Sequence, residues 1–318
     1  MRYFVTGGAG FVGSHVVDRL MQEKGAEVTV YDNLSGGKLD FLAHYEMKKN
    51  FTFIKADLMD QETLDKVIKG HDIVHHLAAN PDVRIGEKEP TLDIDLGIRV
   101  TSNLLEAMRL HGIKRIAFSS SSVVYGEADK LPTPEDYGPL VPISMYGAAK
   151  LGCEALISAY CHTFGYQSWI YRFANVIGPR GTHGVLVDFI NKLKKDPGKL
   201  EILGNGKQKK SYLTVEECVD AVMFIMKKAK DPVNIFNLGS DDQITVKRIA
   251  EVVVEELGLD PKKVKLQYTG GERGWSGDVR FMLLDTKRIA KLGWSPKLDS
   301  EGAVRHALKH LKKELWDG

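Results

Sequence analysis

Cysteine is scarce in this chain: Cys153, Cys161 and Cys218 are three among 318 residues. An odd number, with none at metal-ligand spacing, argues against a disulfide framework and against a cysteine metal site. It leaves them as small apolar residues of a chain kept in the reducing cytoplasm, with no metal expected. Charge of one sign is lacking too. Lys plus Arg number 44 against 42 Asp plus Glu, a formal net charge of +2, which gives no ground for a nucleic-acid partner or an anionic membrane surface. No apolar run approaches the ~18 residues that a membrane span needs. The opening Met-Arg-Tyr-Phe-Val turns to glycine too soon for a signal peptide. There is no internal repeat and no low-complexity tract. What is present is 43% hydrophobic content over 318 residues, enough for a large buried core in one large domain or two.

Through the first 175 residues, short strand-like apolar runs alternate with amphipathic segments of helix length. Strands are expected at 2–6, 27–32, 51–55, 73–76, 115–119 and 168–173, and helices near 11–23, 61–69, 91–111 and 145–164. This alternation predicts an α/β fold with a doubly wound parallel sheet. After Gly178-Pro179-Arg180-Gly181 the rhythm changes. Helices are expected near 185–195, 216–228, 246–257, 286–292 and 301–315, with short strands near 235–238 and 264–268. The sheet domain is therefore placed at 1–176, also receiving part of 207–237. A smaller C-terminal α/β lobe takes most of 177–318, with interleaved boundaries and the site between the two.

Thr6-Gly7-Gly8-Ala9-Gly10-Phe11-Val12-Gly13 follows the first strand and opens the first helix. Gly7, Gly10 and Gly13 are three apart, and Gly8, Gly10 and Gly13 also satisfy G-x-G-x-x-G. Such a loop needs glycine for the tight turn, for close approach of a pyrophosphate and for helix–strand packing. The helix N-terminus, with Phe11 and Val12 beside it, then offers N–H groups and a partial positive charge to phosphates. A glycine triplet alone is a weak signal. Asp32 strengthens it, ending the second strand close to the ~20-residue spacing of the acid that binds the adenosine ribose. A carboxylate there repels a 2′-phosphate, and the next residue is Asn33 rather than Arg, so NAD is favoured over NADP. Asp57-Leu58 ends the third strand, where Asp57 or Asp60 can cap the next helix, and Asp57 can also face the adenine. Leu77-Ala78-Ala79 follows the fourth strand, small enough for a cofactor to lie close. The first domain is thus read as a Rossmann NAD-binding domain.

Ser119-Ser120-Ser121-Ser122-Val123-Val124-Tyr125-Gly126 leaves the fifth strand, at the sheet end that faces ligands in such folds. Tyr146 and Lys150, inside the following helix, are one turn apart on one face. Alone, that pair is an ordinary helix-surface pair. After a nucleotide loop and a serine-rich strand end, it suits acid–base work on an alcohol. Tyrosine has a pKa near 10, so acting as a base near pH 7 calls for roughly 4 kcal/mol of help. A lysine cation ~5 Å away at an effective dielectric of ~20 supplies roughly 3 kcal/mol, and an oxidised nicotinamide adds further positive charge. Ser121 can hydrogen-bond the reacting oxygen and relay the proton.

The glycine loop, Asp32, the serine run with Tyr125-Gly126 and Tyr146-x-x-x-Lys150 resemble the extended short-chain dehydrogenase/reductase family. Within it the chain is most similar to the NAD-dependent nucleotide-sugar epimerase/dehydratase group, and there to its UDP-glucose 4-epimerase-like members. The likeness runs nearly the whole length. Arg172-Phe173-Ala174-Asn175-Val176-Ile177-Gly178-Pro179 resembles the stretch whose asparagine holds the substrate diphosphate. Ser211–Glu217 resembles the returning strand–helix segment, and Phe236-Asn237-Leu238-Gly239 and Gly277-Asp278-Val279 recur at similar places. The resemblance implies that Tyr146 is the base, that Lys150 lowers its pKa and holds the nicotinamide ribose, and that Ser121, four before Tyr125, is the second hydroxyl. It implies that Ser119 and Phe173 join the cofactor set, that Ser122 and Asn175 face the substrate, and that Lys210 stands where many members carry arginine. The resemblance makes Arg273 the candidate for the late phosphate-binding arginine, although it stands five residues before Asp278 instead of about three. Asp95-Leu96-Gly97-Ile98 departs from the pattern, lacking an asparagine that touches the cofactor in many members.

The resemblance implies a UDP-hexose or UDP-N-acetylhexosamine substrate, a homodimer through the helices near 91–111 and 145–164, and a 4-epimerase reaction by transient oxidation at C4. Dehydratases of the group carry Asp-Glu just after the Ser/Thr, and decarboxylases tend to carry Glu. Here those positions are Ser122 and Val123, so 4,6-dehydration, decarboxylation and simple reduction are the alternatives. A non-catalytic NAD-binding regulatory protein is the alternative of another class, disfavoured by the intact Ser121, Tyr146 and Lys150. Met282, four after Asp278, stands near a position that limits the sugar C2 substituent, and its flexibility predicts tolerance of N-acetyl sugars. His75-His76 cannot chelate one ion together, since neighbours on a strand point to opposite faces. The basic runs 192–195 and 207–210 read as solvated faces apart from Lys210. Pro81-Asp82-Val83-Arg84 reads equally as a turn or as a border of the sugar site.

Overall fold

A computed structural model describes residues 1–80 and 82–317. In chain order the first elements are β1 Arg2–Thr6, α1 Phe11–Met21, β2 Glu27–Asp32, β3 Phe51–Lys55, α2 Gln61–Ile68, β4 Ile73–His76, α3 Pro90–Asp93, a π-helical turn Ile94–Arg99, α4 Val100–Leu110, β5 Arg115–Ser121, α5 Met145–Phe164 and β6 Gln167–Phe173. There follow β7 Asn175–Ile177, α6 Val185–Lys195, β8 Lys199–Ile202, β9 Lys209–Lys210, β10 Tyr212–Thr214, α7 Val215–Lys228, β11 Val233–Leu238, β12 Ile244–Thr245, α8 Val246–Glu256, β13 Lys265–Tyr268, β14 Phe281–Met282, α9 Lys287–Leu292 and α10 Ser300–Leu311, with a last π turn at Lys312–Trp316. The chain forms two compact units. The first is Met1–Val124, Met145–Arg172 and Val222–Phe236; the second is Tyr125–Ser144, Phe173–Ala221 and Asn237–Gly318.

A seven-stranded sheet runs in the order β11-β6-β5-β4-β1-β2-β3. The pairs β1–β2, β1–β4, β2–β3 and β4–β5 are parallel. Strand order reverses between β1 and β4, which is the switch point at which doubly wound sheets open a ligand crevice beyond their carboxyl ends. The expected fold class is therefore observed. The inner strands are continuous apolar runs, as burial on both faces demands: Phe4 and Val5 in β1, Val28 and Val30 in β2, Ile73 and Val74 in β4 are all buried. On α1, Val16, Val17 and Leu20 recur at helical spacing and are buried. Each such side chain contributes roughly 1.5–3 kcal/mol on burial. One core gathers Leu64, Leu104, Leu105, Met108, Ile116, Phe118 and Ile157.

The second unit has its own core, in which Phe189, Ile190 and Leu193 of α6, Ile249, Val252 and Val253 of α8, and Val304, Ala307 and Leu308 of α10 are buried together. Its strands are short. β10 pairs parallel with β7, setting Tyr212 against Asn175. β9 lies between β12 and β14, setting Lys210 against Met282, and β13 pairs parallel with β8.

Most strands and helices expected in the first 175 residues form within a few residues of their expected ends. The segment 91–111 departs from expectation. It is one amphipathic period in sequence, but it folds as α3, a π turn and α4. The reason lies on its inner side: a Cβ at Gly97 would sit 3.0 Å from the Ala149 Cβ, and a Cβ at Gly152 would sit 2.9 Å from Ile98. Close approach to α5 is met by widening the turn, a distortion that clusters at functional sites. Among the described residues, no helix is long and apolar enough to cross a membrane.

Candidate active site

The loop between β1 and α1 is shaped by its glycines. Gly7 has φ +69°, and a Cβ there would lie 2.5 Å from the Ala78 backbone nitrogen. At Gly13 a Cβ would lie 2.0 Å from the Gly7 carbonyl oxygen, so α1 packs directly on the turn. Gly10 caps α1 in extended conformation, with no side-chain cap among the described residues. The first turn of α1, with Phe11 and Val12 half-buried, thus keeps its positive end for an anion.

Asp32, at the end of β2, is buried, and its carboxylate accepts from the backbone N–H of Ala9 at 2.9 Å and of Leu34 at 2.8 Å. Burial pushes its pKa up, while those two N–H donors hold it down. Asn33 Nδ2 donates to Asp57 Oδ2 at 2.7 Å, and Asp57 Oδ1 accepts from the Met59 N–H. The cap of α2 is Asp60, whose Oδ1 accepts from the Thr63 N–H. Leu58 offers its carbonyl to Asn103 Nδ2, and Leu77, Ala78 and Ala79 follow β4, all half-buried. A glycine turn no side chain can fill, an uncapped helix start and a carboxylate at the next strand end fit a dinucleotide without a 2′-phosphate.

At the end of β5 the serines alternate, as a strand requires. Ser120 points into the core and donates to Glu154 Oε1 at 2.5 Å. Ser119 and Ser121 are half-buried. Ser121 Oγ accepts from the Val123 N–H at 3.4 Å, and Ser122 is buried. On α5, Lys150 is 4% exposed, and its Nζ donates to the Ser119 carbonyl at 2.6 Å. That ammonium lies 5.6 Å from the Tyr146 ring centroid and 4.7 Å from that of Phe118. Desolvation pushes the Tyr146 phenol well above its ordinary 10, and the nearby Asp93 and Cys153 push the same way. Burial lowers Lys150 to about 8, against the pull of Cys153, Glu154 and Asp93. In the protein alone, desolvation therefore outweighs the help expected from the lysine. Positive charge brought beside the phenol would act in the opposite direction and favour its loss of a proton.

In the second unit, Asn175 Nδ2 donates to the Ser211 carbonyl at 3.1 Å. Lys210 Nζ meets Asp278 Oδ1 at 2.5 Å, and Arg273 Nη1 donates to the Asp278 carbonyl at 2.7 Å. Buried Met282 lies opposite Lys210 in the β9–β14 pair, and its sulfur is 3.8 Å from the Ser211 hydroxyl. Asn175, Lys210, Arg273 and Met282, far apart in sequence, are thus brought together. Arg273 is also held by Glu127 at 2.5 Å, and Glu127 is shared with Arg280 at 2.9 Å. Phe173, at the end of β6, is buried, and the chain passes into the second unit at this residue.

Sequence reasoning missed several groups. Glu154 binds Arg172 of β6 at 2.7 Å with both side chains buried, and only its place one turn beyond Lys150 hinted at it. Asp93 and Asn80 line a cleft with Ala79, Leu96, Gly97, Tyr146, Ala149 and Lys150. Asn80 Nδ2 donates to Asp93 Oδ1 at 3.0 Å, while buried Asp93 Oδ2 has no partner among the described residues. His75 and His76 are both 1% exposed. His76 bonds Thr6 and Thr101 through its two nitrogens, at 2.7 and 2.9 Å. Of the segment 81–84, Pro81 lies outside the described residues; Asp82 Oδ2 pairs with Arg84 at 2.9 Å.

Comparison with known proteins agrees with this geometry. A family model described as the NAD dependent epimerase/dehydratase family matches residues 3–239. The UDP-glucose 4-epimerase of Mycolicibacterium smegmatis is 31% identical over 308 residues, covering 94% of each chain. A crystal structure of a UDP-galactose 4-epimerase shares 41% identity with a TM-score of 0.88, covering 99% of this chain and 100% of its own. The structure of the Thermotoga maritima UDP-glucose 4-epimerase with UDP-glucose shares 34% identity, with the same TM-score and coverage.

Proposed function

The chain belongs to the NAD-dependent epimerase/dehydratase family, and on that premise we propose that it is an NAD-dependent UDP-glucose/UDP-galactose 4-epimerase. The observation that carries the reading is the Tyr146–Lys150 pair, anchored to the β5 end by the Lys150–Ser119 bond, with no acid following Ser121 at Ser122 or Val123. Dehydration or decarboxylation calls for a further acid or base there; epimerisation does not.

The glycine loop, Asp32, Asn33, Asp57, Leu58 and the Leu77–Ala79 backbone hold NAD, with Ser119, Tyr146, Lys150 and Phe173. When bound, it supplies the hydride acceptor and a positive ring. Tyr146 takes the proton of the sugar C4 hydroxyl and later returns it to the same oxygen. Ser121 hydrogen-bonds that oxygen and passes the proton. Lys150 keeps positive charge beside the phenol and holds the ribose. Because the two-electron oxidation at C4 is reversed within the same turnover, and Tyr146 returns the proton it took, the cycle needs no external reductant. Ser122, Asn175, Lys210, Arg273 and Met282 serve the UDP-sugar. Lys210 and Arg273 reach its diphosphate by exchanging carboxylate partners for phosphate oxygens, and Met282 leaves space for an acetamido group. The reading places the enzyme in the cytoplasm, in keeping with three free, buried cysteines, and takes it to work as a homodimer.

The test is a coupled assay with UDP-galactose, following UDP-glucose without added reductant. Product formation, lost by 10²–10⁴-fold in Tyr146→Phe with bound NAD retained, is the expected result. NAD-loaded protein that makes no product would overturn the 4-epimerase reading. UDP-N-acetylglucosamine left unturned by an active enzyme would remove the assignment of Met282.

A further inference from the structure

We propose that Glu216, His306 and His310 form a binding site for a divalent transition metal of the zinc class. All three belong to the second unit. His306 and His310 are one turn apart on α10, so both imidazoles leave the same helix face. Their ring centroids are 5.3 Å apart. Glu216 comes from the first turn of α7 and meets this pair from a second element. One ligand atom from each of the three lies within 4.8 Å of the others, and His306 Nε2 stands 3.8 Å from Glu216 Oε1.

Ligand chemistry and geometry both suit a borderline metal. Two imidazoles and one carboxylate are the donor set of open zinc sites, which leave the fourth position to water. Imidazole also excludes calcium and magnesium as natural occupants, since those ions prefer oxygen. With metal–ligand distances near ~2.1 Å, tetrahedral donors lie roughly 3.4 Å apart. The present spacing therefore closes by side-chain rotation alone, which exposed Glu216 and His310 can make without moving the helices. A plain ion pair accounts less well for the cluster. At 3.8 Å the His306–Glu216 contact is beyond hydrogen-bond length, and it gives His310 no part.

The bound ion would fasten α10 to the start of α7. α10 already holds the strand before α7, because Ser300 Oγ accepts from the Tyr212 N–H at 3.1 Å. Occupancy therefore stabilises the β10–α7 junction of the second unit.

Tag-free, chelator-washed protein retaining its NAD is titrated with zinc chloride by calorimetry, and its thermal midpoint is followed with and without the metal. The expected result is one zinc per chain and a raised midpoint. His306→Ala/His310→Ala and Glu216→Gln should each weaken binding by tenfold or more and abolish the rise. These are surface substitutions, and circular dichroism verifies their fold. Other histidines, including His44, His111 and His162, remain in every variant, so adventitious binding would be the same throughout. Equal zinc affinity in wild type and variants, or no binding to wild type at hundreds of micromolar zinc, would overturn the proposal.

Discussion

At the scale of single residues, the site is governed by competition between desolvation and charge. Tyr146 is pushed up and Lys150 down to about 8, so each is held nearer its neutral form than in water. Asp93 acts on both. Its negative charge raises the phenol and also raises the lysine, and its Oδ2 faces no partner among the described residues. Asp93→Asn removes that charge and keeps the Asn80 contact within reach. In the proposed mechanism, activity rises with pH as Tyr146 loses its proton and falls as Lys150 loses its own. Both limbs of the kcat/KM profile should therefore move to lower pH. An unshifted profile would mean that Asp93 carries a proton across the working range, a state its own burial favours. The pairing of Tyr146 with Lys150 was legible in the sequence because its spacing is local. Asp93 was not legible, because only the folding of α3 against α5 brings it to the tyrosine.

At the scale of elements, polar groups lock the ends of the sheet. Glu154 on α5 receives Ser120 from β5 and Arg172 from β6. Replacing it with alanine strips a buried guanidinium of its carboxylate, a change that costs about 3–5 kcal/mol. The urea midpoint should fall accordingly, while Glu154→Leu combined with Arg172→Met recovers most of the loss. A single variant as stable as wild type would show that the pair adds nothing. The β4 histidines give a second prediction. Burial lowers His75 to about 4 and His76 to about 3. The folded state keeps them neutral, while the unfolded chain takes up protons below about 6.5. Stability is therefore lost as pH falls from about 6.5 through 4 and then 3. His75 Nε2 has no partner among the described residues, so His75→Leu should remove the His75 share of that acid loss, leaving that of His76, without lowering stability at pH 7. Thermal midpoints between pH 3 and 8 measure it.

The two-residue strands β9, β12 and β14 were illegible because so short a run has no period to detect. The π turn was hidden for a different reason. It lies where Gly97 and Gly152 let two helices approach closely, a contact that no local period reports. The clustering of Asn175, Lys210, Arg273 and Met282 came from likeness to a family, since nothing in their spacing announces it.

At the scale of the whole molecule, a net charge of only +2 leaves apolar surface as the main means of association. The first unit exposes such surface on the two helices expected to pair. Leu110 at the end of α4 is 60% exposed and Phe164 at the end of α5 is 39% exposed. Arg109 stacks over the Phe164 ring at 5.8 Å, so the two helix ends adjoin. Two copies related by a two-fold axis would bury both residues in a four-helix contact, a closed arrangement in which each patch meets itself. Sedimentation at micromolar concentration should then give twice the chain mass. Phe164→Glu places two like charges near the axis and should halve that mass, with NAD still bound because the substitution lies at the far end of α5 from Tyr146. A wild-type monomer, or a dimer indifferent to Phe164→Glu, would move the association surface elsewhere or remove it.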